Sequence, residues 1–222
     1  MLFRSCEPLL AAMAGVRPPL ERRPFRRYAV SPRVAELDPD VAESFEAVCR
    51  TLDARDFGGP AFDDPGAAFL DVTCTGMLVY HRQFDDRRDA YRPSIRGFLE
   101  YGEERAVTGE EYIAIQERRA AGRAAWLDWF DEDSIDAIVE PTVPIVAHAR
   151  GQGYDEAFTD YAEISLTHQW NWTGFPVVTL PSGLGRRSGL PTSVSLIGRP
   201  GADWDLLAAG AALQAELGTV SP

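Results

Sequence analysis

Val41, Phe45, Val48 and Leu52 fall four, three and four residues apart, which sets them on one face of a helix. Asp38-Pro39 stands just ahead of that face, a capping carboxylate followed by a proline suited to a first turn, so the helix is predicted to start there. Thr108 and Glu111 form a capping-box pattern that opens a longer helix running to about Phe130, with Tyr112, Ile115, Trp126 and Trp129 on its apolar face. Ala67 to Phe84 and Phe158 to Trp170 also read as helical. The first 16 residues resemble a short helix, and Asp203 is expected to cap a last one carrying Leu206, Leu207, Gly210, Leu213 and Leu217.

Between these helices lie runs with strand texture. Phe25 to Val30 is a candidate closed by Ser31-Pro32, and a further short strand is expected between Phe57 and Asp64. Ile135 to Val139 and Pro176 to Leu180 read as buried strands. Gly183 to Gly189 reads as a turn, and Val194 and Leu196 against Ser193 and Ser195 as an alternating strand. Strands interleaved with helices and no internal repeat predict an α/β protein forming a single domain over residues 1–222.

Composition narrows the function classes. At 222 residues, 45% hydrophobic and 25% charged, the chain has enough apolar material for one core. The apolar run from Leu9 to Val16 is well short of the roughly 20 residues of a membrane span. Glu7, Pro8 and the absence of a cleavage-site pattern argue against a secretory leader, so a cytoplasmic protein without membrane contact is expected. A net charge of −12 repels phosphate backbones, which argues against a nucleic-acid partner. The run Arg22, Arg23, Arg26 and Arg27 around Pro24-Phe25 reads as a solvated strand lead-in. All 22 basic residues are arginine, so no reaction needing a lysine amine can run on these residues alone. Cys6, Cys49 and Cys74 are odd in number and widely spaced, and read as reduced core residues.

A search for chemistry finds no catalytic centre. The G-x-S-x-G elbow is absent, and Ser182 and Ser188 sit in turn-like contexts. His81, His148 and His168 match no metal-ligand spacing, and no glycine-rich phosphate loop exists, so neither metal nor cofactor is expected. His81 reads as a helix-surface residue, and Asp63-Asp64 and Asp85-Asp86 as solvated turn carboxylates. Two stretches have notable backbone chemistry. Pro141-Thr142-Val143-Pro144 keeps the chain extended past a strand end, and Asn171-Trp172-Thr173-Gly174-Phe175-Pro176 sets an amide and a glycine just ahead of one. Either lines a pocket or is ordinary turn chemistry.

The order of these pieces resembles the amidase signature family. The resemblance runs through Asp136-Ala137-Ile138-Val139-Glu140-Pro141-Thr142-Val143-Pro144, Asn171 to Pro176, Leu180-Pro181-Ser182-Gly183, Gly189-Leu190-Pro191, and Leu196 to Pro200 with Asp203. It is strongest over residues 134–217; Leu37 to Val41 with the following helix carries a weaker match, and Phe3 to Gly15 looks like the tail of a preceding segment. It departs at Ser193 and Ser195, where the family commonly has a glycine and a glutamine.

The resemblance implies a mixed β-sheet flanked by helices, here incomplete at its N-terminal side, and hydrolysis of carboxamide C–N bonds. It also implies a serine nucleophile in a Gly/Ser-rich loop, activated through a second serine and a lysine. Neither that loop nor any lysine is present, so no catalytic residue carries over. What carries over is a substrate-cleft wall: Thr142, Pro144, Asn171, Trp172, Thr173 and Gly174. The expectation is a C-terminal amidase portion, inactive alone, with an amide substrate only if an N-terminal half completes it. The alternatives are a non-catalytic subunit completing a separately encoded partner or a homo-oligomer, and a small-molecule binding module using Trp170 and Trp172.

Overall fold

A computed structural model of the chain describes residues 3–34, 36–60, 65–149 and 165–218. Its elements are α1 (Phe3–Ala14), β1 (Tyr28–Val30), α2 (Pro39–Thr51), α3 (Gly66–His81), a 3₁₀ segment (Arg82–Ala90), α4 (Pro93–Arg105), α5 (Gly109–Glu132), β2 (Ala137–Pro141), α6 (Ser165–Thr173), β3 (Val177–Leu184), β4 (Pro191–Gly198) and α7 (Asp203–Leu217).

The strands form one mixed sheet in the order β1-β2-β4-β3. β1 runs parallel to β2 with Tyr28 opposite Ala137, and β4 is antiparallel to both β2 and β3. Because side chains alternate across a sheet, each strand feeds two cores. On one face Val139, Leu180, Val194 and Leu196 pack with Phe45 and Val48 of α2 and Leu206 and Leu213 of α7. On the other, Ile138 and Ile197 pack with Trp126, Trp129 and Phe130 of α5 and Trp170 of α6. The apolar/polar alternation of β4 is therefore a two-faced burial, with Ser195 as deeply enclosed as its neighbours.

Local signals in the sequence produce the helix starts. The Asp38 carboxylate accepts the Asp40 N–H at 2.8 Å, and Pro39 occupies the first turn. Thr108 Oγ1 accepts the Glu111 N–H at 3.2 Å while the Glu111 carboxylate accepts the Thr108 N–H at 2.8 Å, completing the capping box. Gly174, at φ +71°, turns the chain out of α6 and gives its N–H to the Trp170 carbonyl.

Several expectations need correction. No strand forms over residues 57–60; instead Arg55 exchanges backbone hydrogen bonds with Tyr28 and Val30, covering the outer edge of β1. β1 spans only three residues, because the arginine run before it is tied down: Asp136 accepts the Arg26 and Arg27 N–H groups and pairs with Arg23 at 2.5 Å. β3 continues through Pro181-Ser182-Gly183 with a register shift, so the expected turn is shorter. Asp203 opens α7 from inside the helix, after Ala202, and makes no side-chain cap. Tyr112 is exposed, and Phe130 takes the buried place on α5. Cys6 is exposed, Cys49 is half-buried and Cys74 buried; burial pushes the latter two thiols up to about 11. The 3₁₀ segment and α4 follow the expected helix after Ala67 and have no counterpart among the predicted elements. Residues 158–164 of the other expected helix, and Asp63-Asp64, lie outside the described residues.

Candidate functional site

Thr142 follows the last residue of β2 and projects onto the α5/α6 face of the sheet. Its hydroxyl lies 2.9 Å from that of Ser195 on β4, which lies 3.1 Å from that of Thr179 on β3. The Thr142 N–H donates to the Ser193 carbonyl at 3.2 Å, so the extended Pro141-Thr142-Val143-Pro144 stretch stays docked on β4. The result is a line of three hydroxyls across the sheet, half-buried at Thr142 and exposed at Thr179. Serine at position 195 permits that line, because its short side chain leaves room for hydroxyls on both sides.

Beneath the same end of the sheet lies a buried carboxylate that no sequence motif marks as a site. Glu140 is 1% exposed. Its Oε1 accepts the Ser31 hydroxyl at 2.6 Å and its Oε2 accepts the Trp170 indole N–H at 2.6 Å. Arg33 Nη1 approaches Oε1 at 3.7 Å and donates to the Leu166 carbonyl of α6 at 3.0 Å. The guanidinium also lies 5.9 Å from the Trp170 ring centre. Burial pushes the Glu140 carboxyl up to about 7; the Arg33 charge and the two hydrogen bonds pull the other way and are outweighed. The signal available in the sequence was a carboxylate sharing strand parity with Ile138, but its partners lie 109 and 30 residues away.

The other expected wall residues part company. Pro144 is buried, and its carbonyl accepts the Asp38 N–H at the start of α2. Asn171 is exposed on the outer side of α6. Trp172 turns away from the sheet and packs with Ala68 of α3 and Ile115 of α5. Thr173 is buried and bonds back to the Gln169 carbonyl. The Trp172 and Thr173 carbonyls accept the Arg119 and Arg123 guanidinium groups of α5, which lie over the Trp172 and Phe175 rings. These cations compensate the negative end of α6. Gln169, fully buried on α6, has both amide atoms without a hydrogen-bond partner among the described residues.

A second hydroxyl group sits on the opposite face. Ser44 of α2, Ser182 of β3 and Thr192 of β4 form a closed ring at 2.8, 2.8 and 3.1 Å. Beside it the Asp40 carboxylate accepts the Arg187 and Ser188 N–H groups at 3.0 and 2.8 Å, clamping the β3–β4 turn onto α2. These hydrogen bonds hold its carboxyl below the ordinary carboxylate range, the Ser188 hydroxyl contributing most. His81 Nδ1 lies 2.6 Å from the Tyr91 hydroxyl, His168 is buried against the Phe69 ring, and His148 is exposed. Among the described residues no His/Cys/Asp/Glu group is placed to hold a metal ion, and no helix is long and apolar enough to cross a membrane.

The family's sequence profile, described as Amidase, matches residues 72–207, well over half of the chain. The chain belongs to the amidase family. A curated amidase-family relative, one of the subunits of the glutamyl-tRNA(Gln) amidotransferase of Granulibacter bethesdensis, is 30% identical over 152 residues, covering 63% of this chain and 30% of its own. A solved amidase superposes with a TM-score of 0.78 at 23% identity, covering 97% of this chain and 51% of that one. A protein solved as part of a vestigial complex at the origins of an s-triazine catabolic enzyme gives 0.71 at 24%, covering 86% and 43%. The amidase fold thus extends over nearly the whole chain. The chain spans about a third of that curated relative's length and about half of the solved amidase's.

Proposed function

We propose that these 222 residues form the cleft-bracing portion of an amidase-type hydrolase of carboxamide C–N bonds, and that the serine–lysine chemistry is supplied by a segment outside them. The observation that carries this reading is the lack of any base beside the hydroxyls. Among the described residues, the hydroxyls of both groups bond to one another and to backbone carbonyls, and no amine or imidazole reaches them. A serine without a base at hydrogen-bond distance is a poor nucleophile. Thr142, Pro144 and Asn171 with Trp172, Thr173 and Gly174 then act as wall and support: Thr142 and Asn171 offer polar groups at the surface, and Pro144, Trp172 and Thr173 fix the backbone that carries them. Three free cysteines agree with work in the reducing cytoplasm.

The test is ammonia release from a panel of aliphatic and aryl primary amides by the purified chain. No turnover above buffer is expected; turnover by the chain alone overturns the proposal.

A second reading, a non-catalytic subunit that completes a separately encoded partner, is favoured by the outer edge of β3, which pairs with no further strand among the described residues and where Val177, Thr179 and Leu184 are exposed. A structural relative solved as part of a protein complex agrees with it. It predicts co-purification with a lysine-bearing amidase-family protein and amide hydrolysis by the pair. A binding module built on Trp170 and Trp172 is not favoured, since both rings are spent in the core.

A further inference from the structure

Glu140 sits where four parts of the chain meet: β2, which carries it; the β1–α2 connection, which sends Ser31 and Arg33; α6, which sends Trp170 and the Leu166 carbonyl; and β4, with Ser195 opposite. Of its partners among the described residues, Ser31 alone can reverse its role. The Trp170 indole and the Arg33 guanidinium are donors only, whereas a hydroxyl both donates and accepts. A proton taken up from solvent therefore resides on Oε1, where the Ser31 hydroxyl at 2.6 Å turns to accept it, while Oε2 goes on accepting from Trp170. The neutral carboxyl thus keeps a hydrogen bond at each oxygen without moving a heavy atom. The ionised site instead holds a carboxylate 1% exposed, whose one cation among the described residues stands at 3.7 Å, beyond hydrogen-bond length.

We propose that Glu140 is the positioning residue of α6: neutral, it seats the helix on the β1–α2 connection, and ionised, it loosens the helix so that water reaches the carboxylate. The same helix carries Asn171 and ends at Thr173-Gly174, so its seating sets one side of the proposed cleft, whatever reaction that cleft serves.

The charged surroundings agree. Arg33 is the one charge acting on Glu140 among the described groups, and it favours the ionised form. α6 contributes His168, which lies against Phe69, and the α5 arginines 119 and 123 end on the Trp172 and Thr173 carbonyls. β4 presents only Ser195. Burial raises the carboxyl to about 7 in the seated state, while a solvated glutamate titrates near ~4.3. The seated helix binds the proton more tightly than the lifted one, so raising the pH favours lifting.

Tryptophan emission of the chain, followed from about pH 5 to about pH 9, reads this directly, because Trp170 gains water when α6 lifts. A red shift with its midpoint between about 4.3 and about 7 is expected in the native chain, absent in Trp170→Phe and in Glu140→Gln, and retained in His168→Gln. Arg33→Met removes the cation and moves the midpoint upward by about one pH unit. A purely structural role would lower stability in Arg33→Met without moving that midpoint. A flat native profile, a transition surviving in Glu140→Gln, or an unmoved Arg33→Met midpoint overturns the proposal. Should Glu140→Gln fail to fold, the Arg33→Met and Trp170→Phe profiles decide alone.

Discussion

A carboxylate enclosed with Arg33 at a distance makes stability itself depend on pH. The folded-state value of Glu140 lies above that of the unfolded chain, so the folded protein binds the extra proton between the two values. Its contribution is therefore fully present below ~4.3, declines as the pH rises to about 7, and stays constant above it. Relative to Glu140→Gln, the native chain is expected to lose on the order of 3 kcal/mol across that window in urea unfolding. A gap that does not change with pH would contradict it. Asp40 acts with the opposite sign. Its depressed value means that the clamp on the β3–β4 turn is present at neutral pH and is lost as the pH falls through that value. Asp40→Asn is accordingly expected to lower the melting temperature at neutral pH, with the difference from the native chain shrinking in acid. Gln169 offers a stabilising change: Gln169→Leu removes two unpartnered buried polar atoms and is expected to be neutral or to stabilise by about 1 kcal/mol. None of these three residues stands out in the sequence. Their surroundings come from other elements, and a burial that depends on where α6 and α2 dock leaves no local pattern to read.

Local rules did better with whole elements. The starts of α2 and α5 were legible because their capping groups lie within three residues of the positions they serve. Thr108→Ala is expected to cost about 1 kcal/mol, measured by denaturant unfolding; an unchanged midpoint would mean that packing alone holds α5. α4 and the 3₁₀ segment are illegible for the converse reason. α4 begins on a proline but has no side-chain cap, and the 3₁₀ segment is charged along its length with nothing buried. β1 and the extra length of β3 differ from expectation at their ends, since both are set by pairing: Asp136 draws down the chain before β1, and β4 carries β3 past Pro181. Proline there is tolerated because β3 lies at the sheet's edge.

At the scale of the molecule, the family could be read because its motifs mark places where strands end and helices turn, and those places are fixed by backbone chemistry such as Pro141, Pro144 and Gly174. The layout of the candidate wall was less legible. Of the adjacent residues, Asn171 faces solvent, Trp172 packs with Ala68 and Ile115, and Thr173 is buried and bonds back to its own helix, as helical geometry demands. The two sheet edges differ, one covered by Arg55 and the other, at β3, paired with no further strand among the described residues. Val177→Lys on the β3 edge is expected to change stability by less than about 0.5 kcal/mol while weakening any association through that edge, as read by sedimentation. Equal association in both forms would place the contact elsewhere. The strand order also has a consequence in time. β3 and β4 join across a short turn, whereas β1 finds β2 only when Tyr28 meets Ala137, after the chain between them has closed into a long loop. Closing such a loop carries an entropy cost that the hairpin escapes, so the C-terminal hairpin with α7 is the natural first unit to fold and β1 the last strand to arrive. A chain stalled before that last step would have its hairpin in place and Glu140 still in water, free of the burial that gives it its character.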